Sequence, residues 1–148
     1  PTHSPHRMEA VVLATNLDDV TPEIIGHAIE RLVEGGADDA WVVPAVMKKG
    51  RPGHELRVLG APARADELRA LMFSLTGSLG IRTEQVAKHA LDRSTRTVEV
   101  RGHRVAIKDG PYGSKPEYDD LAIASEATGI PIRQLATEAL QAESDASM

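Results

Sequence analysis

The chain has 148 residues, 41% of them hydrophobic and 3% aromatic, and its formal net charge at pH 7 is −5. This acidic balance argues against nucleic acid or an anionic membrane as the main partner, and scarce aromatic rings argue against a base-stacking surface. Because the chain has no cysteine, disulfides and thiolate metal sites are excluded. No apolar run approaches the ~20 residues of a membrane span, and no signal-peptide pattern is present, so we expect a cytoplasmic protein.

The hydrophobic pattern from residue 9 to residue 91 predicts the element order β-α-β-β-α-β. Strands are expected at 9–15, 40–46, 55–59 and 81–91, with helices at 22–34 and 64–76. The first helix has the clearest signals, because Pro22 stands at its first position and Gly35 follows its last. This order is typical of a ferredoxin-like fold, an α+β architecture.

The rest of the sequence predicts additions to this core. Alternating valine and isoleucine residues on either side of Gly102 predict a β-hairpin, which a polar loop at 109–116 follows. Two C-terminal helices are expected, at 117–128 and from 130 to about 141. We expect residues 1–8 to be a linker remnant, residues 9–141 to form a single domain, and residues 142–148 to be a disordered tail.

Oxygen-bearing side chains cluster just before the first predicted helix. Asn16 and Asp18 alternate on an extended backbone, so both can point to one side, and Asp19 adds a second carboxylate. Such oxygen ligands suit a hard cation such as Mg²⁺, often one that a nucleotide's phosphates also hold. The alternative is that Asp19 and Thr21 are ordinary helix-start residues.

Cationic side chains concentrate in the segment 47–53, where glycines indicate a loop. Lys48, Lys49 and Arg51 make this loop a candidate phosphate site, although a solvated turn is an equal alternative. Lys115 lies just before a helix N-terminus, which also favours anions, unless the acidic residues after it only complement the helix dipole. Arg82 is a further candidate anion ligand. No Rossmann or P-loop glycine signature is present, so a nucleotide would be bound without either.

Four segments together resemble one protein family in the expected order. They are Thr-Asn-Leu-Asp-Asp-Val-Thr-Pro-Glu at 15–23, Met-Lys-Lys-Gly-Arg-Pro-Gly at 47–53, Leu-Gly-Ile-Arg at 79–82, and Lys-Pro-Glu-Tyr-Asp-Asp at 115–120. The family is the nickel insertion protein of nickel-pincer nucleotide cofactor biosynthesis, LarC, or pyridinium-3,5-bisthiocarboxylic acid mononucleotide nickel chelatase. The resemblance runs from about residue 9 to residue 140 and covers the C-terminal part of the family's usual chain.

The resemblance implies an enzymatic function. Family members insert Ni²⁺ into pyridinium-3,5-bisthiocarboxylic acid mononucleotide, require CTP with Mg²⁺ or Mn²⁺, and release CMP and pyrophosphate; the product cofactor serves lactate racemase. The C-terminal domain is the part associated with CTP, so the family's N-terminal domain is an expected partner. A homo-oligomer, a trimer or hexamer, is also expected.

Roles for individual residues follow from the same resemblance. It implies that Asn16, Asp18 and Asp19 hold the divalent ion, and that the remaining site residues bind the nucleotide and its phosphates: Lys48, Lys49, Arg51, Arg82, Lys115, Tyr118 and Asp119. No catalytic nucleophile is implied. The alternative is a non-catalytic ferredoxin-like regulatory or assembly module that binds a small anion. Nucleotide selectivity separates the two interpretations.

Overall fold

A computed structural model describes residues 3–142 of the chain. Its strands are β1 (His6–Leu17), β2 (Asp39–Val46), β3 (Pro52–Gly60), β4 (Arg82–Ala90), β5 (Ser94–Val100), β6 (His103–Gly110) and β7 (Gly113–Pro116). Its α-helices are α1 (Pro22–Glu34), α2 (Ala65–Thr76), α3 (Tyr118–Thr128) and α4 (Ile132–Gln141). Apart from Ala142, the predicted disordered tail lies outside the described residues. No helix within residues 3–142 has the length and apolar character needed to cross a lipid bilayer.

The described chain divides into two compact units where the sequence predicts one domain over residues 9–141. The first, which we call the core unit, is Arg7–His89. The second, the hairpin unit, comprises residues 90–142 together with residues 3–6. The segment predicted as a linker contributes to a strand, because β1 begins at His6 rather than at Glu9.

The core unit contains a four-stranded sheet in the order β2-β3-β1-β4. Together with its β-α-β-β-α-β element order, this arrangement confirms the predicted ferredoxin-like α+β fold. The inward side chains of β1 and β3 pack with α1 and α2 in one hydrophobic core, which contains Leu13, Leu17, Leu56, Val58, Ile25, Leu32, Leu68 and Met72. Because successive strand residues point to opposite faces, Asn16 and Glu55 lie on the other face of the sheet.

Helix α1 has the bounds that the sequence predicts. Pro22 occupies its first turn, and the Thr21 side chain accepts a hydrogen bond from the backbone N–H of Ile24 at 3.4 Å. Thr21 is therefore the N-cap residue, and Asp18 and Asp19 are not needed to begin the helix. Of the two helix-start residues that the sequence offers, only Thr21 takes the capping position.

The hairpin unit contains a three-stranded antiparallel sheet in the order β5-β6-β7. Its apolar side chains pack against α3 and α4 in a separate core built from Val98, Val100, Val105, Ile107, Leu121, Ala124, Leu135 and Ala139. Strand β7 corrects the predicted polar loop at 109–116, since Gly113–Pro116 pairs with the end of β6. This strand carries no alternating apolar residues, so hydrophobic periodicity could not reveal it.

The turn between β5 and β6 yields a prediction about stability. Arg101 and Gly102 both have positive φ, 52° and 81°, which the tight hairpin turn requires. A Cβ at Gly102 would meet no atom within 4 Å, so a substitution there costs backbone strain alone. We expect Gly102→Ala to lower the free energy of unfolding by about 1–2 kcal/mol in urea titrations. Gly113→Ala, which has open space and no positive φ, is the matched control; an equal loss in both variants would contradict the account.

Candidate functional site

The core unit contains an open cavity of about 580 Å³ at the end of β1 and β2. Its lining combines residues from both polar loops with neighbouring strand residues: Asn16, Asp18, Ala45, Val46, Met47, Lys48 and Glu55. Oxygen ligands from the first loop and positive charge from the second therefore face one space. The volume lies within the range typical of small-molecule sites.

The basic loop connects β2 to β3 and is held in a tight turn. The backbone N–H of Met47 donates to the carbonyl of Arg51 at 2.7 Å, and that of Gly50 donates to the carbonyl of Met47 at 3.1 Å. Lys49, with φ of 65°, and Gly50 both adopt left-handed backbone conformations. For a lysine this conformation is uncommon, and such strain concentrates at functional sites.

Gly53 explains how the loop reaches β1. A Cβ at this position would lie 2.5 Å from the Cε atom of Met47 and 3.0 Å from the carbonyl oxygen of Leu17. The absence of a side chain thus lets Met47 and β1 approach the start of β3 closely. This approach brings Lys48 to the cavity that Asn16 and Asp18 line.

A network of hydrogen bonds links Asn16 to three charged side chains of the sheet. The Nη2 atom of Arg82 donates to Asn16 Oδ1 at 3.0 Å and to Glu55 Oε2 at 2.9 Å. The other Glu55 oxygen accepts from Arg57 Nη1 at 2.8 Å. The Arg57 hydrogen bond lowers the pKa of Glu55 below its usual range; Arg82 acts in the same direction, and partial desolvation opposes both. Glu55 therefore stays ionised and holds Arg82 beside Asn16.

Sequence reasoning missed Glu55 and Arg57 as members of the site. Alternation with the buried Leu56 and Val58 could have placed both on the face of the sheet that points away from the helices. Their proximity to Asn16 depends on the β1–β3 register, in which Asn16 lies opposite Glu55. Local patterns do not specify that register.

The other core-unit residues that the sequence predicts to bind metal or phosphate differ in their ion pairs and in their position relative to the cavity. Arg51 Nη1 lies 3.9 Å from Asp18 Oδ2, a long and exposed contact that contributes little stability. Within residues 3–142, no ion pair involves Lys48 or Lys49. Asp19 is exposed before α1 and does not line the cavity. In the same described range, no three His, Asp or Glu side chains group closely enough to hold a metal ion without other ligands.

The predicted segment at 115–120, with Lys115, Tyr118 and Asp119, belongs to the hairpin unit, whereas the cavity described above belongs to the core unit. Lys115 lies in β7, and the exposed Tyr118 begins α3. Asp120 Oδ2 accepts a hydrogen bond from the backbone N–H of Ala106 at 2.8 Å, which ties α3 to β6. This part of the motif thus has a structural role.

Fold and site together define an α+β protein whose ferredoxin-like unit presents oxygen-bearing side chains and a lysine to one open cavity. Comparison with known proteins agrees with this class. A family model described as nickel insertion protein matches residues 2–136. A solved structure of LarC2, the C-terminal domain of a cyclometallase involved in the synthesis of the NPN cofactor of lactate racemase, superimposes with a TM-score of 0.83. It is 31% identical and covers 93% of this chain and 98% of its own.

Two further groups of relatives extend the comparison. The pyridinium-3,5-bisthiocarboxylic acid mononucleotide nickel insertion proteins of Nocardioides sp. strain JS614 and Thermotoga sp. strain RQ2 are 40% and 32% identical to this chain. The alignments cover 88% and 84% of this chain, but 34% and 32% of those proteins. A crystal structure of a protein from Methanopyrus kandleri AV19, 28% identical, superimposes with a TM-score of 0.60 and covers 95% of this chain and 98% of its own.

The chain belongs to the nickel insertion protein family, which confirms the resemblance seen in its sequence. It matches the C-terminal domain of LarC over nearly the whole of that domain. It spans about a third of the length of the curated relatives named above.

The Glu55 network predicts a specific pH dependence of stability. Because the folded-state pKa of Glu55 is lowered, its ionised form stabilises the fold above the unfolded-state pKa of about 4.3, and this contribution is lost as the pH falls through the folded-state pKa. We expect Glu55→Gln to be less stable than the parent at pH 7, with the difference shrinking below about pH 4.3. Urea unfolding across this range measures it.

The control for this measurement is Glu30→Gln, a change of an exposed carboxylate in α1 outside the network. Its stability difference from the parent should vary little with pH. A Glu55→Gln difference that stays constant from pH 7 to pH 3 would contradict the assigned network.

Proposed function

We propose that the core-unit cavity binds CTP together with Mg²⁺ or Mn²⁺, within an enzyme that inserts nickel during nickel-pincer nucleotide cofactor biosynthesis. The observation that carries this proposal is that Asn16, Asp18 and Lys48 line the same cavity. A metal–triphosphate complex needs oxygen ligands for its cation and positive charge for its phosphates, and this cavity offers both.

The donor set of the cavity fits a hard divalent cation. Asn16 and Asp18 supply an amide oxygen and a carboxylate, and Asp19 adds a carboxylate in the adjoining turn. Mg²⁺ is usually held by one or two carboxylates and by substrate phosphates rather than by a complete protein cage. The absence of a three-residue His, Asp or Glu group within residues 3–142 agrees with an ion that arrives with its nucleotide. When bound, the ion would offset phosphate charge.

The cations around the cavity suit the triphosphate. Lys48 and Lys49 form no ion pair within the described residues, so their ammonium groups are available to phosphate oxygens. Arg51 contacts Asp18 only at long range and could turn to a phosphate at small cost. We propose that Arg82, held by Asn16 and Glu55, supplies a fixed guanidinium at the edge of the same site.

The proposal extends from nucleotide binding by this chain to the reaction of the complete enzyme. We infer that the chain acts with the N-terminal domain of its family on Ni²⁺ and pyridinium-3,5-bisthiocarboxylic acid mononucleotide, while CTP is converted to CMP and pyrophosphate. The names of the curated relatives and of the LarC domain support the part of this inference that concerns nickel insertion by a larger protein. The conversion of CTP follows from the family resemblance alone. Contacts of Tyr118 or Asp119 with the nucleoside, and assembly into a trimer or hexamer, remain predictions.

Calorimetric titration with CTP, ATP, GTP and UTP, each with and without Mg²⁺ or Mn²⁺, tests the proposal. We expect metal-dependent binding that is selective for CTP. Asp18→Asn and Lys48→Ala should each weaken CTP affinity about tenfold or more, because each removes a charged contact to the metal–nucleotide complex.

Two matched variants control for nonspecific charge effects. Glu30→Gln removes an exposed carboxylate and Lys88→Ala a lysine, both outside the cavity lining, and neither should change CTP affinity. Unchanged affinity in both Asp18→Asn and Lys48→Ala, or no CTP binding at all, would contradict the proposal. Equal binding of all four nucleotides would favour the non-catalytic anion-binding module instead.

A further inference from the structure

Strand β4 forms one edge of the core-unit sheet. Within residues 3–142 it pairs with β1 on one side and with no strand on the other. It is nine residues long, and most of its side chains are exposed. Because an edge strand presents a row of unpaired backbone N–H and C=O groups, it is a template for pairing with a strand of another chain.

The opposite edge of the same sheet is protected in a way that β4 is not. Strand β2 contains Pro44, which has no backbone N–H, and proline on an edge strand blocks the addition of a further strand. Strand β4 contains no proline. Of the two edges of this sheet, β4 is therefore the one whose backbone can accept a partner along its whole length.

The two faces of β4 are fixed by a contact with a helix. Thr83 lies on the helix side of the sheet, where its hydroxyl accepts a hydrogen bond from Arg69 of α2 at 3.1 Å. Because strand residues alternate between faces, Glu84, Val86 and Lys88 lie together on the face that points away from the helices. This face of β4 thus carries a carboxylate, a half-buried valine and an ammonium group in line.

Glu84 and Lys88 have no ion-pair partner within the chain. Neither of them forms an ion pair within residues 3–142, although Glu84 attracts the guanidinium of Arg57 without contacting it. The two are four strand residues apart, about 13 Å, which is too far for them to pair with each other. Both charges are therefore available to opposite charges of another molecule.

We propose that β4 pairs with β4 of a second copy of this chain, in an antiparallel contact whose two-fold axis passes through Val86. An axis perpendicular to the sheet brings the same faces of the two strands together. Because Val86 is the middle residue of β4, this register pairs the strands over their full length. It places Glu84 opposite Lys88 of the partner subunit, and the symmetry repeats the pair on the other side of the axis.

Charge favours this register over the neighbouring ones. A shift of two residues in one direction would place Arg82 opposite Lys88 of the partner subunit, and like charges directly opposite destabilise a sheet. The same shift in the other direction would place Glu84 opposite Ala90 of the partner subunit and leave its charge unpaired. Complete overlap of the strands and complementary charges therefore coincide in one register.

The contact joins two sheets into one and covers the open edge of both. It includes no residue that lines the core-unit cavity. The family resemblance leads us to expect a trimer or a hexamer and specifies no contact surface. A hexamer with two-fold axes can contain this contact, whereas a cyclic trimer alone cannot, because its interfaces join two different surfaces.

Sedimentation equilibrium of the full chain tests the contact through the dissociation constant of self-association. Glu84→Lys and Lys88→Glu should each raise that constant about tenfold or more, because symmetry turns two attractive pairs into two repulsive ones. The double variant, which carries both substitutions, exchanges the two charges and restores the opposite pairs. It should associate within about threefold of the parent.

The control is Glu30→Lys, which makes the same change of charge at an exposed carboxylate of α1 and should leave self-association unchanged. A monomeric parent, or single reversals that leave the dissociation constant unchanged, would overturn the proposal. The same holds for equal weakening by Glu30→Lys, or for a double variant that associates as weakly as the single ones.

Disulfide trapping tests the register, since the chain has no cysteine of its own. In Val86→Cys the two thiols lie opposite each other at the axis, where Cβ atoms about 5 Å apart can be bridged after a small adjustment. In Thr83→Cys, the matched control, the two thiols are six strand residues apart, about 20 Å. Mild oxidation should link Val86→Cys into a covalent dimer and leave Thr83→Cys unlinked.

Equal linking of both cysteine variants, or of neither, would contradict the assigned register. Neither experiment requires nucleotide or metal, and calorimetric titration with CTP does not report on β4. Failure of this contact is therefore distinguishable from failure of the proposed nucleotide site.

Discussion

The antiparallel pairing of β1 with β3 is the constraint on which the core unit depends. Its register places Leu13 opposite Val58 and Asn16 opposite Glu55. Since strand residues alternate between faces, packing Leu13, Leu17, Leu56 and Val58 against the helices places Asn16 and Glu55 together on the opposite face. A shift by one residue would expose the core and scatter the polar residues, so the same hydrophobic contacts that stabilise the sheet also position the candidate site.

The basic loop is subject to the same constraint. It begins where β2 ends and closes onto β3, and Gly53 permits its contact with β1 at Leu17. Lys48 thereby lines the same cavity as Asn16 and Asp18, although the two segments are some thirty residues apart in the chain. The proposed metal–nucleotide site therefore needs no Rossmann or P-loop glycine motif. It needs only that the ends of the neighbouring strands β2, β3 and β1 lie together.

Local signals allowed much of this fold to be predicted from sequence. Helix α1 has its predicted bounds because Pro22, the apolar stripe and Gly35 are all local features. Strand β7 was missed because pairing with β6, rather than its own composition, makes it a strand. Glu55 was missed as a site residue for a related reason. Its position beside Asn16 depends on the register in which β1 pairs with β3, which local sequence patterns do not specify. Local patterns also gave no sign of the division into two compact units, which assigns Lys115 and Lys48 to different units.

The most direct test of the proposed metal–nucleotide site is a crystal structure of the chain with CTP and Mn²⁺, located by the anomalous scattering of manganese. We predict an anomalous peak beside Asn16 and Asp18, with the triphosphate against Lys48. Manganese and nucleotide bound only outside the core-unit cavity, or nucleotide bound in it with no metal near these two side chains, would contradict the account.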